Sequence, residues 1–194
     1  MSRQRIKAVV MGASWGGLEA YSTVLSRLPA TLPVPVLLVQ HQHPTAGDKL
    51  PWLLDTRTAM RVMRAMDKAA LEPGCVYVAP PGYHMLVDND HTLCYSLAPP
   101  VNYSRPSIDE LFFSAGHVYG RGLLSVILTG ANDDGAAGTR YIKQRGGITV
   151  AQSPQTAEAV IMPQAAIDTG CVDWTGDLVQ IGDFVVEQVF GLQE

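Results

Sequence analysis

Short apolar runs alternate with stretches of helical period along this chain, and that alternation restricts its fold more than any other feature. Residues 6–11 are mostly apolar and rich in β-branched side chains, the pattern of a strand buried on both faces. Leu18, Tyr21, Leu25 and Leu28 then recur at helical spacing until Pro29 ends the pattern. Residues 34–40 predict a second buried strand, and residues 48–57 a helix. Strands are expected at 76–79, 123–128 and 148–151, with helices at 107–119, 136–145 and 178–190 and a small helix beginning near Pro163. Ser107 and Glu110 suit a capping box. Residues 84–87 and 92–96 flank D-N-D-H and predict a hairpin. Residues 60–70 are ambiguous: as a helix they would align Arg57, Arg61, Arg64 and Lys68 in a basic stripe, and as extended chain they hold a strand around 61–65. The expected fold is α/β: a doubly wound, mostly parallel sheet flanked by helices, with an inserted antiparallel hairpin. No repeat or linker interrupts it, so residues 1–194 are expected to form a single domain.

Composition narrows the function. Hydrophobic residues make up 47% and charged residues 16%, which suits a packed core and not a disordered chain. A net charge of -4 gives no general surface for a polyanion, so no nucleic-acid partner is expected. Cys75, Cys94 and Cys171 are odd in number and show no C-x-x-C, which suggests neither a disulfide framework nor a zinc site; a reducing compartment is the simpler expectation. The basic start (Arg3, Arg5, Lys7) precedes an apolar stretch at 8–13 too short for a signal-peptide core. No window is long and apolar enough to span a membrane, and a cytoplasmic protein is expected.

In open parallel sheets, ligands bind outside the carboxyl ends of the strands. Chemically capable residues just after strand candidates should therefore meet on one edge. Ser14 follows the first strand, His41 the second, and Asp133 and Asp134 follow residues 123–128. A serine, a histidine and an acid are the parts of an acyl-transfer triad. The turn G-A-S-W-G at 12–16 fits G-x-S-x-G, in which small flanking residues let a nucleophile sit at a sharp strand-to-helix turn. A dinucleotide cradle fits less well: Ser14 stands where the middle glycine of G-x-G-x-x-G is needed, Gln40 stands where an acid would hold a ribose, and a P-loop lysine is missing. The chain order serine, histidine, acid differs from that of the α/β-hydrolases, since no histidine follows His117. Spacing alone leaves His43 competing with His41, and Asp133 with Asp134. His84 and His91, in the hairpin, are expected to hold surface or turn roles.

Six stretches carry a resemblance: G-A-S-W-G-G at 12–17, Q-H at 40–41, P-G at 73–74, V-N-Y-S-R-P-S-I-D at 101–109, L-T-G-A-N-D-D-G-A-A-G at 128–138 and M-P-Q-A-A-I at 162–167. In this order they resemble the catalytic domain of the CheB-type chemotaxis protein-glutamate methylesterases, over nearly the whole chain. The resemblance implies a Rossmann-like serine hydrolase that removes methyl esters from glutamates on the cytoplasmic helices of chemoreceptors, releases methanol, and in many members also deamidates receptor glutamines. It implies Ser14 as nucleophile, His41 as base and Asp134 as the acid, with no metal or organic cofactor, and so separates His41 from His43 and Asp134 from Asp133.

Two departures accompany it. Trp15 stands where the family usually has a small hydroxyl residue, and is expected to line or narrow the pocket. Ala131 and Asn132 replace the methionine and glycine of the usual T-G-M-G, altering the wall near the acid. Family proteins typically carry a receiver domain, and this sequence begins almost directly at its first strand; were it the whole protein, that control would be absent or come from another chain. Arg105 is open between orienting a substrate carboxylate or loop and a structural pairing with Asp109 or a nearby carbonyl. The competing functions are an esterase for another methyl ester and a receptor-array binding module whose pocket Trp15 blocks.

Overall fold

The computed structural model describes residues 5–47 and 49–191. Arg3 and Asp48, the latter the expected first residue of a helix, lie outside them. In chain order the elements are β1 (Ala8–Ala13), α1 (Gly17–Ser26), β2 (Val36–Gln40), α2 (Lys49–Asp55), β3 (Arg61–Arg64), β4 (Cys75–Val78), β5 (His84–Val87), β6 (Leu93–Ser96), α3 (Ile108–Tyr119), β7 (Leu123–Ile127), α4 (Ala136–Gln144), β8 (Ile148–Gln152), α5 (Ile161–Asp168), β9 (Trp174–Gly176) and α6 (Leu178–Phe190). Among the described residues, seven strands form one sheet in the order β3-β4-β2-β1-β7-β8-β9, and all its pairs are parallel. β5 and β6 form the separate antiparallel hairpin.

The period of two along each central strand divides the core. Val9, Met11 and Ala13 of β1 point to one face with Val36 and Leu38 of β2 and Leu124 and Val126 of β7, where α1, α2 and α6 pack. Ala8 and Val10, Leu37 and Val39, and Leu123 and Ile127 point to the other, against α3, α4, α5 and the hairpin. The chain leaves β1 for β2 on one side and returns as β7 on the other. The crevice outside the carboxyl ends of β1 and β7 is thus a topological switch point, the usual ligand position in such sheets.

Several local expectations are corrected. Residues 61–64 are a strand, so Arg57, Arg61, Arg64 and Lys68 do not share a helical face. Arg57 instead pairs with Glu19 at 2.7 Å. β9 was not expected: three residues, W-T-G, at the sheet edge give too short a pattern to read. Ser107 makes no side-chain cap on α3. The cap comes from far away in sequence. Asp134, which precedes α4, accepts the N–H groups of Ile108 (2.7 Å) and Asp109 (3.0 Å) at the start of α3. Asp109 in turn accepts the N–H of Gly138 in the first turn of α4 at 2.6 Å. The two helices therefore cap each other, each carboxylate lying at the positive end of the other's macrodipole. Asp134 itself makes no side-chain cap on α4, the helix it precedes.

Candidate active site

The turn after β1 is fixed from both sides. Ala13 O accepts the N–H of His41 (3.1 Å), and Ser14 N–H donates to Thr129 O (2.9 Å), so the ladders to both neighbouring strands run up to Ser14. Gly12 lets α3 approach: a Cβ there would lie 2.4 Å from Ile108 Cγ2. Gly16 has φ 78°, a left-handed conformation that frees the chain to turn directly into α1. Tyr21 pins α1 to the sheet, its buried hydroxyl donating to Val39 O at 2.7 Å. Burial pushes its phenol well above the ordinary value, against the lowering effect of a backbone hydrogen bond. The N–H groups of Trp15 and Gly16 make no hydrogen bond within the described chain. They sit beside Ser14 at the N-terminus of a helix, where free donors and the dipole favour negative charge.

His41 Nε2 lies 2.7 Å from Asp134 Oδ2, with the Asp134 side chain fully buried. Asp134 collects three further donors: Ser107 Oγ (3.0 Å) and the N–H groups of Ile108 and Asp109. Burial alone would raise this carboxyl; the hydrogen bonds from His41 and the two N–H groups outweigh burial and hold it below the usual carboxylate range. An ionised carboxylate only accepts, so neutral His41 carries its proton on Nε2 and leaves Nδ1 as the acceptor. The same surroundings push the neighbouring buried carboxyl the other way. Asp109 is raised to about 6, by burial first and by the charge of Asp134, against the lowering effect of the Gly138 N–H.

Ser14, Gln40 and His41 line one open depression of about 280 Å³, together with Gly16, Gly17, Leu18, Glu19, Gln42 and Leu50. Ser14 Oγ makes no hydrogen bond to the described chain. The alternatives left open by spacing lie apart from this arrangement: His43 is exposed and bonds Thr45 Oγ1 at 2.7 Å, and Asp133 is exposed. Trp15 does not line the depression, contrary to expectation. Its indole N–H donates instead to Glu158 Oε1 at 2.7 Å, and its carbonyl accepts from Thr129 Oγ1 at 2.9 Å. Arg105 makes the structural contact, donating from Nη1 to Leu97 O and Ala98 O, both at 3.2 Å. His84 is buried and not at the surface. Its Nδ1 accepts Ser107 N–H (3.2 Å) and its Nε2 donates to Pro99 O (3.1 Å), fixing the segment that leads into α3.

Two residues had no distinct signal in the sequence. The Gln40 side-chain amide donates to Ser14 O (2.7 Å) and His41 O (3.0 Å), tying the two strand ends together. Ser104 Oγ lies 3.3 Å from His41 Nδ1. Both residues belong to stretches that carry the family resemblance, Q-H at 40–41 and V-N-Y-S-R-P-S-I-D at 101–109, but neither motif points to these contacts.

Comparison with known proteins settles the family. A model of the CheB methylesterase family matches residues 9–185. The chain belongs to the CheB methylesterase family. The Thermotoga maritima CheB methylesterase catalytic domain superposes with a TM-score of 0.91 at 29% identity, covering 94% of this chain and 98% of that one. A Leptospira interrogans protein is 41% identical over 180 residues, 93% of each chain. A Clostridium acetobutylicum protein named protein-glutamate methylesterase/protein-glutamine glutaminase is 37% identical, covering 100% of this chain and 56% of its own length. The chain thus spans nearly the whole of the Leptospira relative and about half of the Clostridium one. Among the described residues, no helix is long and apolar enough to cross a membrane, and no group of three or more His, Cys, Asp or Glu side chains is placed to hold a metal ion.

Proposed function

We propose that residues 1–194 are one catalytic domain that hydrolyses methyl esters of glutamate side chains on the cytoplasmic helices of chemoreceptors, working in the cytoplasm, with Ser14 as nucleophile, His41 as base and Asp134 as the acid that orients it. The observation that carries this reading is the 2.7 Å contact between His41 Nε2 and buried Asp134 in a histidine that shares its depression with Ser14. Ser14 Oγ attacks the ester carbonyl carbon as His41 Nδ1 takes its proton. The oxyanion forms against the free N–H groups of Trp15 and Gly16; one such donor is worth about 10²–10³ in rate. The bond to the methoxy group then breaks, and His41 returns the proton to departing methanol. Water next gives a proton to His41 and attacks the acyl carbon, and the bond to Ser14 Oγ breaks as Oγ regains a proton. Glutamine deamidation follows the same path with ammonia leaving. The depression is open to solvent and has room for an extended glutamyl ester side chain.

The test is methanol release from membranes bearing methylated receptors. Wild type is expected to release methanol, and a folded Ser14→Ala variant to lose at least about 10³ of the rate. Comparable release by that variant would remove Ser14 from its role. Release from simple methyl esters with none from receptors would point to a different substrate.

A further inference from the structure

Neutral His41 has one acceptor lone pair, and two serine hydroxyls have claims on it. Nε2 carries the proton given to Asp134, whose oxygens receive donors on every side (His41 Nε2, Ser107 Oγ and the N–H groups of Ile108 and Asp109). That leaves Nδ1 as the only nitrogen able to accept a proton. In this structure the hydroxyl within hydrogen-bond reach of Nδ1 is that of Ser104, at 3.3 Å, while Ser14 Oγ makes no such bond.

Ser104 is held there by its own turn. Val101 and Ser104 exchange both backbone hydrogen bonds, Ser104 N to Val101 O at 2.8 Å and Val101 N to Ser104 O at 3.1 Å. Between them Asn102 and Tyr103 both have positive φ, 48° and 62°, the geometry of a two-residue turn of the primed type. Arg105 anchors the next residue through Leu97 O and Ala98 O, and Gly82 N–H donates to Arg105 O at 3.2 Å. The hydroxyl also has a second outlet: Asn102 O lies 3.5 Å from Ser104 Oγ. Turning the O–H toward Asn102 frees the lone pair of His41 with no movement of the backbone.

We propose that Ser104 is a positioning residue that closes off the base in the resting protein: its hydroxyl donates to His41 Nδ1 until Ser14, engaged with substrate, displaces it. This rests on the assignment of Ser14 and His41 made above. Activation then includes the loss of one neutral hydrogen bond, so removing the Ser104 hydroxyl speeds the attack by Ser14. A residue serving only as packing would, when truncated, slow the reaction or leave it unchanged.

The test uses a small alkyl fluorophosphonate. Ser14 Oγ forms a bond to phosphorus, the proton passes to His41 Nδ1, and fluoride leaves. Rates of labelling are measured for the wild type, Ser104→Ala, Ser104→Gly and Ser104→Thr, with the modified serine located by mass spectrometry. Ser104→Ala and Ser104→Gly are expected to label at Ser14 about twofold to tenfold faster, the range of one ordinary hydrogen bond. Ser104→Thr, which keeps the hydroxyl, is expected to return to the wild-type rate. Two truncations keep the test open should one fail to fold. Label on Ser14 with no acceleration in any folded truncation overturns the role of Ser104 alone. A wild type labelled on Ser104, or not on Ser14, overturns the Ser14 assignment and this inference with it.

Discussion

Asp134→Asn changes one oxygen to an NH₂ group and should stop the reaction with little change in shape. The carboxylate accepts four hydrogen bonds, from His41 Nε2 and Ile108 N at Oδ2 and from Ser107 Oγ and Asp109 N at Oδ1. An asparagine that keeps the two bonds at Oδ1 turns its NH₂ toward Ile108 N and His41 Nε2, and donors then face donors. Ile108 N–H has no alternative and is left unpaired at the buried start of α3. His41 does have one: it moves its proton to Nδ1 and accepts from the new NH₂. The imidazole keeps its place in the wrong tautomer, with an N–H where a base is needed. A wrong-tautomer loss of this kind is about 10⁴ in kcat. The unpaired N–H and the lost charge-assisted bond cost about 2–3 kcal/mol of stability. Methanol release gives kcat and KM, and a urea midpoint gives the stability. Asp134 is held below the ordinary carboxylate range, so in the wild type its contribution is present above that range and is lost as pH falls through the folded value, below about pH 4. The variant should lack that acid loss. A folded Asp134→Asn protein with kcat within tenfold of wild type would refute the assigned tautomer and with it the direction of proton flow.

Three further changes probe separate links. Asp109, raised to about 6 by burial, binds its proton more tightly when folded, so its contribution to stability is lost as pH rises through that value; Asp109→Asn should flatten the stability profile from about pH 4 to 7 and add about 1–3 kcal/mol at pH 8 by thermal or urea unfolding. Gln40→Met removes the donors that tie Ser14 O to His41 O, and should lower kcat about tenfold to hundredfold with KM and melting temperature nearly unchanged. Gly12→Ala sets a methyl 2.4 Å from Ile108 Cγ2 and should cost about 1–3 kcal/mol in urea unfolding, with a fall in activity as α3 and its capping carboxylate shift.

What could be read from sequence follows the range of the physics involved. The central strands were legible because burial on both faces leaves a continuous apolar run, as in β2 and β7. The positions of Ser14 and His41 were legible for the same reason, since they stand where apolar runs stop and the topology of a parallel sheet brings such ends to one edge; Asp134 lies several residues beyond β7, so spacing did not separate it from Asp133. β3 was ambiguous because R-V-M-R offers only four residues, with Val62 the one buried among them. The cap on α3 was unreadable because it comes from Asp134, 26 residues beyond Ile108, while the local candidates Ser107 and Glu110 satisfied the sequence pattern. Gln40 and Ser104 were missed for a related reason: a side chain that acts by bonding two distant carbonyls or one imidazole has no periodicity. Trp15 was placed wrongly because its partner, Glu158, lies 143 residues away.

The claim that the three strand-end groups act as one device is tested most directly by combining their losses. Methanol release is measured for Ser14→Ala, His41→Ala and the double variant, each shown to be folded. Groups that share one proton path lose nearly everything when any member is removed, so the double variant should match the weaker single variant to within about threefold. Losses that multiply would mean that Ser14 and His41 contribute independently, and the proton path from hydroxyl to imidazole would be wrong.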